Sequence, residues 1–288
     1  MGSCTSNRET RFLIAIMGIL YIVPTPIGNL DDITLRAVKV LRDVSLIAAE
    51  DTRRAAILLS HFDLHTPVTS YFEHNKLSKL DRILAALEQG DVALISEAGT
   101  PGLSDPGYEL IRSAIERGYR IVPLPGATAA MTALVASGLP TDSFIFVGFL
   151  SRKAGERQRA LEQLKSDRRT LIFYEAPHRV GDTLTDMLAV FGSRSICAAR
   201  ELTKVHEEIW RGTIAEAIQR FGAEALGEFV LVVAGASEAE RWDEDRVRAA
   251  LHAELEHGMP GSEAARQVAE LSGWHKRAVY ALLNKEDS

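Results

Sequence analysis

Short runs of apolar, largely β-branched residues alternate along this chain with stretches of helical periodicity, and that alternation restricts the fold more than any other feature. Residues 20–23, 46–49, 92–96 and 120–123 read as strands buried on both faces, the pattern of a parallel sheet covered by helices. Between them, residues 77–89 place Leu77, Leu80, Ile83, Leu84 and Leu87 at the three-and-four spacing of an amphipathic helix, which Gly90 then ends. Strand, helix and strand in that order predict βαβ units and a parallel sheet, because parallel neighbours need a crossover connection.

The series pauses at Ser137-Gly138-Leu139-Pro140-Thr141-Asp142, between an Ala-rich helix and a new apolar strand at 144–147. A domain boundary is expected there, separating an N-terminal α/β domain over 18–138 from a second α/β domain over 139–238. In the second domain, strands are predicted at 170–174, 195–199 and 229–233, with helices at about 156–164, 182–191 and 214–221. Thr213 and Glu216 form a Thr-x-x-Glu capping box at the start of the last of these helices. After Ser237 the pattern is helical only, giving a small third unit over 239–288. Within it Ala269, Gly273 and Val279 have the spacing of a helix-turn-helix, with Lys276 and Arg277 opening the last helix.

The chain's 33 Lys and Arg against 39 Asp and Glu leave a net charge of −6, so a nucleic-acid partner has to be held by a local patch and not by the overall field. Residues 151–169 supply one: seven basic residues, Arg152, Lys153, Arg157 and Arg159 among them, stand against three acidic ones. The alternative reading is a solvated helix face. Residues 241–288 hold seven basic and nine acidic residues, which argues against a DNA-binding role for the helical unit. Cys4 and Cys197 fit neither a disulfide framework nor a zinc cluster, so no metal and a reducing cytoplasm are expected. The longest apolar run, residues 12–23, is too short for a bilayer crossing of about 20 residues.

The sequence contains no G-x-G-x-x-G, G-x-x-x-x-G-K-[ST], H-E-x-x-H, G-x-S-x-G or C-x-x-C, which removes the usual support for dehydrogenase, P-loop, zincin and α/β-hydrolase readings. In their place are four Gly/Pro-rich turns, each directly after a predicted strand, at the sheet edge where open α/β folds bind ligands. The residues they offer to a flat, amphipathic cofactor are Pro26, Gly28 and Asn29; Glu97, Ala98, Gly99, Ser104 and Asp105; Pro125, Gly126 and Ala127; and Tyr174 with Glu175.

Several of these runs are long enough to compare with known families. Leu20-Tyr21-Ile22-Val23-Pro24-Thr25-Pro26-Ile27-Gly28-Asn29-Leu30, Glu50-Asp51-Thr52-Arg53, the loop 96–108, Tyr174-Glu175-Ala176-Pro177-His178-Arg179 and the run 199–208 resemble, in order, the ribosomal RNA small subunit methyltransferase I family, a branch of the tetrapyrrole methylase superfamily. The resemblance implies two α/β domains with S-adenosylmethionine in the cleft between them. It also implies methyl transfer to the ribose 2′-oxygen of a cytidine in small-subunit ribosomal RNA, and a homodimer. Because it begins near Gly18, Met17 is the expected natural start and residues 1–16 an upstream extension, with the folded domain expected from 18 and residues 1–17 outside it. One position departs from the family: where the family has Ser-Asp-Ala-Gly-Thr-Pro, this chain has Ser96-Glu97-Ala98-Gly99-Thr100-Pro101. The carboxylate is displaced by about 1.5 Å of carbon chain, enough to weaken a cofactor hydrogen bond.

Displacement at a sulfonium releases a neutral thioether, so positioning is expected to lower most of the barrier, aided by a base or a cation near the attacking hydroxyl. Glu175 and His178 are the candidates for lining the site, and Lys204 for stabilising charge. Glu201 and His206 stand near them in sequence, and a structural ion pair is the alternative role for Glu201 and Lys204. Two other functions remain open at this point: a corrin or porphyrin methyltransferase, and a DNA-binding regulator with a ligand-sensing α/β part.

Overall fold

The computed structural model describes residues 18–72, 76–223, 225–237 and 242–283. Residues 1–17, expected outside the folded domain, and the second predicted boundary, at 238/239, therefore fall outside or at the edge of the described residues. The N-terminal half runs β1 (Ile19–Ile22), α1 (Leu35–Asp43), β2 (Leu46–Ala49), α2 (Thr52–His61), β3 (Val68–Ser70), α3 (Lys76–Leu87), β4 (Val92–Ile95), α4 (Tyr108–Glu116) and β5 (Arg120–Pro123). All five strands are parallel, in the order β3-β2-β4-β1-β5. On one face Leu41, Leu58 and Leu59 from α1 and α2 meet Ile47 and Ala93; on the other, Ile83, Leu84 and Leu87 from α3 and Leu110 from α4 meet Leu20 and Leu94.

Two features of this sheet differ from expectation. Strand β3 has no legible apolar pattern, since Val68-Thr69-Ser70 pairs on one side only, with β2. Strand β5 lies at the opposite edge, and Arg120 and Pro123 are exposed, so it is not buried on both faces.

After α5 (Ala129–Ser137), the chain continues through β6 (Phe144–Phe149), α6 (Ala154–Leu164), β7 (Thr170–Glu175), α7 (Val180–Phe191), β8 (Ser195–Arg200), β9 (Glu208–Thr213), α8 (Ile214–Phe221) and β10 (Phe229–Val233). The second sheet has the order β6-β7-β10-β8-β9 and is mixed: β6 and β7 are parallel, and every other pair is antiparallel. Strand β9 follows β8 after seven residues, fewer than a parallel crossover needs, so the chain turns back as a hairpin. The capping box forms as its residues predict: Thr213 Oγ1 accepts from Glu216 N at 3.3 Å, and Glu216 Oε2 accepts from Thr213 N at 2.8 Å.

Helix α5 precedes the Gly/Pro linker but packs on the second sheet. Ala130, Ala133 and Leu134 lie against Ile172, Cys197, Ala199, Val230 and Val232, small side chains that let the helix sit close to the strands. Its C-terminal carbonyls are met by Arg211 of β9, whose guanidinium donates to Ala136 O and Ser137 O. The described C-terminal unit packs α9 (Glu244–Glu256), α10 (Gly261–Ser272) and α11 (Lys276–Leu283) around Val247, Leu251, Ala265, Val268 and Val279. Gly273 closes α10 in the left-handed region at φ 69°, and Lys276 and Arg277 are exposed, as the spacing predicts. Among the described residues no helix is long and apolar enough to cross a membrane.

The basic stretch on α6 requires a correction. Arg152, Lys153 and Arg159 are exposed, but Arg157 is buried: its Nε donates to Asp186 Oδ2 of α7 at 2.6 Å, while Gln158 holds the other carboxylate oxygen at 2.7 Å. Arg157 joins two helices and presents no charge to a phosphate. Removing one member of a buried pair leaves the other charge unmatched, so Arg157→Ala should destabilise the protein by about 3–5 kcal/mol in chemical denaturation, with Arg157→Met/Asp186→Leu recovering most of the loss. A role in RNA binding would instead leave stability unchanged.

Candidate functional site

Strands β1 and β4 are neighbours whose connections leave toward opposite sides of the sheet, so the loops beyond their carboxyl ends part at a topological switch point. Backbone hydrogen bonds lock these loops together: Thr25 N donates to Gly99 O and Gly99 N to Thr25 O, both at 2.9 Å. Thr100 Oγ1 donates to Ala127 O at 3.2 Å and so ties in the loop after β5. The loop after β4 turns through left-handed conformations at Gly99, Gly102 and Ser104, φ 82°, 80° and 65°. Glycine adopts these freely, whereas at Ser104 they are strained.

The second domain closes over these loops. Gly28 approaches the turn after β8 so nearly that a Cβ there would lie 2.5 Å from Lys204 Cγ and 2.9 Å from Leu202 O. In that turn Glu201 and Thr203 also have positive φ, 50° and 65°. Between the two domains is a cleft of about 820 Å³, lined by the loops after β1 and β4, the start of α5, the ends of β6 and β7, and the 201–204 turn.

Pro26, Gly28, Glu97, Ala98, Gly99, Ser104, Asp105, Tyr174, Glu175, His178 and Lys204 all line this cleft. Four more expected residues belong to the same turns without being among the lining residues. Asn29 caps a 3-10 turn by accepting from Asp31 N at 3.1 Å, Pro125 and Gly126 are exposed, with Gly126 close against Pro24, and Ala127 offers its carbonyl to Thr100. The cleft also includes Glu50, Arg54, Leu103, Phe149 and Glu228, which sequence reading did not single out as site residues. Glu50 and Leu103 lie within family runs; Arg54, Phe149 and Glu228 carry no local signal, because helix and strand ends bring them in from distant positions.

The first domain gives the cleft a carboxylate wall. Glu50, Glu97 and Asp105 line it together, with Arg54 Nε 3.2 Å from Glu97 Oε1. Burial, followed by the charge of Glu50, pushes the Asp105 carboxyl up to about 7, although the Ser96 hydroxyl opposes the shift. Burial also raises Glu50, against the hydrogen bond it accepts from Glu97 N at 3.1 Å. Carboxylates partly buried at Glu50 and Asp105 and exposed at Glu97 suit a ligand bearing cationic and hydroxyl groups.

Across the cleft, Glu175 lines the wall as expected, with its carboxylate held by neighbours. Its side chain is buried, with Oε2 accepting from Thr183 Oγ1 at 2.6 Å, Oε1 accepting from Ala176 N at 2.9 Å, and Arg179 Nε lying 3.3 Å away. These contacts fix the Glu175 carboxylate and the loop that follows β7. Lys204 Nζ bridges Glu201 Oε1 at 2.8 Å and Glu228 Oε2 at 2.9 Å. Burial alone would lower its pKa, but the two carboxylates outweigh it and raise it. His178 is exposed at the lip, and His206, also exposed, does not line the cleft.

Two sheets sharing a cleft at their loop ends define a methylase of the tetrapyrrole type: residues 19–218 match the family model for Tetrapyrrole (Corrin/Porphyrin) Methylases. Solved structures agree on the fold. Uroporphyrin-III-C-methyltransferase from Thermus thermophilus is 21% identical with a TM-score of 0.54, covering 75% of this chain and 94% of that one. The cobalt precorrin-4 methyltransferase of cobalamin biosynthesis is 16% identical with a TM-score of 0.57, covering 74% and 94%.

Within that class the chain belongs to the ribosomal RNA small subunit methyltransferase I family. Residues 240–286 match the RsmI C-terminal HTH domain. Ribosomal RNA small subunit methyltransferase I of Synechocystis is 49% identical over 271 residues, 92% of this chain and 97% of that protein. The Bacillus subtilis and Escherichia coli O157:H7 proteins of the same name are 46% and 47% identical, covering 92% and 91% of this chain and 93% of each relative.

Two outcomes follow from this geometry. Gly28→Ala forces a methyl group onto backbone and side chain of the 201–204 turn, and should lower the melting temperature while Ala98→Ser, on the same wall, has little effect. Asp105 binds its proton more tightly folded than unfolded, so its contribution to stability is greatest at low pH and is lost as pH rises from about 4 to about 7. Melting temperature measured from pH 5 to pH 8 should fall less steeply for Asp105→Asn than for the parent.

Proposed function

We propose that this chain transfers a methyl group from S-adenosylmethionine to the 2′-hydroxyl of a cytidine in small-subunit ribosomal RNA, acting in the cytoplasm as a homodimer. The observation that carries this reading is the match to ribosomal RNA small subunit methyltransferases I along more than nine-tenths of the chain, C-terminal helices included, joined to a cleft whose donor set suits a cationic cofactor. Glu50, Glu97 and Asp105 would hold the cofactor's amino and hydroxyl groups. When bound, the cofactor supplies an electrophilic methyl group on a sulfonium and departs as a neutral thioether.

The chain's own part is placement and charge. Lys204, fixed between Glu201 and Glu228, sets an ammonium on the wall facing those carboxylates, where it opposes negative charge growing on the attacking oxygen. His178, the one imidazole lining the cleft among the described residues, accepts the hydroxyl proton. Arg152, Lys153 and Arg159 on and before α6, with Lys276 and Arg277 on α11, contact phosphates. Those exposed cations favour RNA over a tetrapyrrole substrate. The excess of acidic residues in the terminal unit disfavours a DNA-binding regulator.

Isothermal titration with S-adenosylmethionine, followed by transfer of labelled methyl to small ribosomal subunits lacking their own modification, tests the reading. Binding with label at a single ribose supports it; binding without RNA labelling favours the tetrapyrrole alternative. Affinity should tighten from pH 6 to pH 8 as Asp105 ionises, with Asp105→Asn losing that slope, and Glu97→Asp should change it by only a few-fold.

A further inference from the structure

Strand β6 contains an irregularity that places a large apolar ring in the cleft. Its pairing with β7 runs Phe146 with Ile172, then skips Val147, so that Gly148 pairs with Phe173 and Phe149 with Tyr174. Regular alternation would put Phe146 and Phe149 on opposite faces; the extra residue puts them on the same one. Gly148 makes the bulge with φ 73°, and a Cβ there would lie 2.8 Å from Ser104 Oγ of the first domain's loop. The bulge is thus seated where the two domains meet, and the next side chain turns into the cleft.

That side chain is 56% exposed. It caps a row of aromatic rings: Phe146 meets Tyr174 edge-on at 5.1 Å, and Tyr174 meets Phe149 at 5.5 Å with an interplanar angle of 62°. Phe146 and Tyr174 are largely covered, whereas the outermost ring is left to solvent. Arg152 and Lys153, both exposed, follow within four residues. An aromatic face beside cations is the arrangement that holds an unpaired nucleotide, the ring stacking on the base and the cations following the backbone.

We propose that Phe149 is the platform on which the nucleobase of the target nucleotide stacks, so that its ribose is presented to the interior of the cleft. This rests on the chain's acting on RNA. The carboxylates matched to the cofactor come from the first domain, while Phe149 stands on the second with more than half of its surface exposed. Stacking accepts any base, so Phe149 positions the nucleotide and does not select cytidine.

The test measures kcat/KM for methyl transfer to unmodified small ribosomal subunits, alongside S-adenosylmethionine affinity and melting temperature, for Phe149→Ala, Phe149→Leu, Phe149→Tyr and Phe149→Trp. Loss of a stacked base predicts a roughly ten- to hundredfold fall for the alanine variant. Affinity for the cofactor should stay within twofold, the leucine variant should fall with alanine, and the tyrosine and tryptophan variants should return to within about threefold of the parent. Phe149→Ala within twofold of the parent, cofactor affinity lost in proportion to rate, or rescue by leucine as complete as by tyrosine would each overturn the platform role while leaving RNA methylation standing. If the parent transfers no methyl to RNA although it binds the cofactor, the functional reading itself falls and this inference with it.

Discussion

The cleft depends on two places where backbone meets the opposite domain with no side chain between. Gly28 lies against Leu202, Thr203 and Lys204, and Gly148 against Ser104. Each contact is closer than a Cβ permits, so glycine is needed for steric reasons at Gly28, and for both steric and torsional reasons at Gly148. Helix α5 secures the same junction from behind. It emerges from the first domain's last strand and packs its alanines on the second domain's sheet. The loops that line the cleft are thereby held by both sheets, and a shift of either domain would be felt throughout the wall.

Rigidity of this kind is what a positioning enzyme requires. Ser104, Glu201 and Thr203 all hold positive φ, a cost borne only where surrounding contacts determine the backbone. Here they do: Gly227 lies against the Glu201 side chain, Lys204 bridges two carboxylates, and Glu201 Oε1 also accepts from Glu228 N at 2.9 Å. The electrostatics divide in the same way. The first domain crowds Glu50, Glu97 and Asp105 together, and Asp105 is poised near neutrality, so a cationic ligand relieves repulsion as it binds. The second domain spends Glu175 on Thr183 and Arg179 and fixes the Lys204 ammonium between Glu201 and Glu228, so its wall is held firmly.

Much of the architecture was legible because it is local. Buried parallel strands show as short apolar runs, α3 as a three-and-four spacing, α8 by its Thr213–Glu216 box, and the terminal turn by Gly273 between small and apolar partners. Strands β3 and β9 were not legible, since an edge strand pairs on one side and need not alternate. The site was legible as loops but not as side chains. Asn29, Pro125, Gly126 and Ala127 sit in the expected turns without being among the lining residues, whereas Phe149 reaches the cleft through a bulge that no periodicity reveals. Arg157 has the composition of a phosphate contact and the burial of a core residue.

The sequence by itself determined the two successive α/β units, the helical third, the strand-end loops and the family to which they belong, because each is written in contiguous residues. Only the tertiary structure decided which charges are free for chemistry and which are consumed in holding the fold. Glu175 is buried beneath Thr183, Arg157 is matched by Asp186 from the next helix, and Asp105 is raised to about 7 by burial and then by Glu50, more than fifty residues away in the chain. A side chain's charge is shaped by its desolvation and by neighbours in space, and neither is a property of nearby sequence.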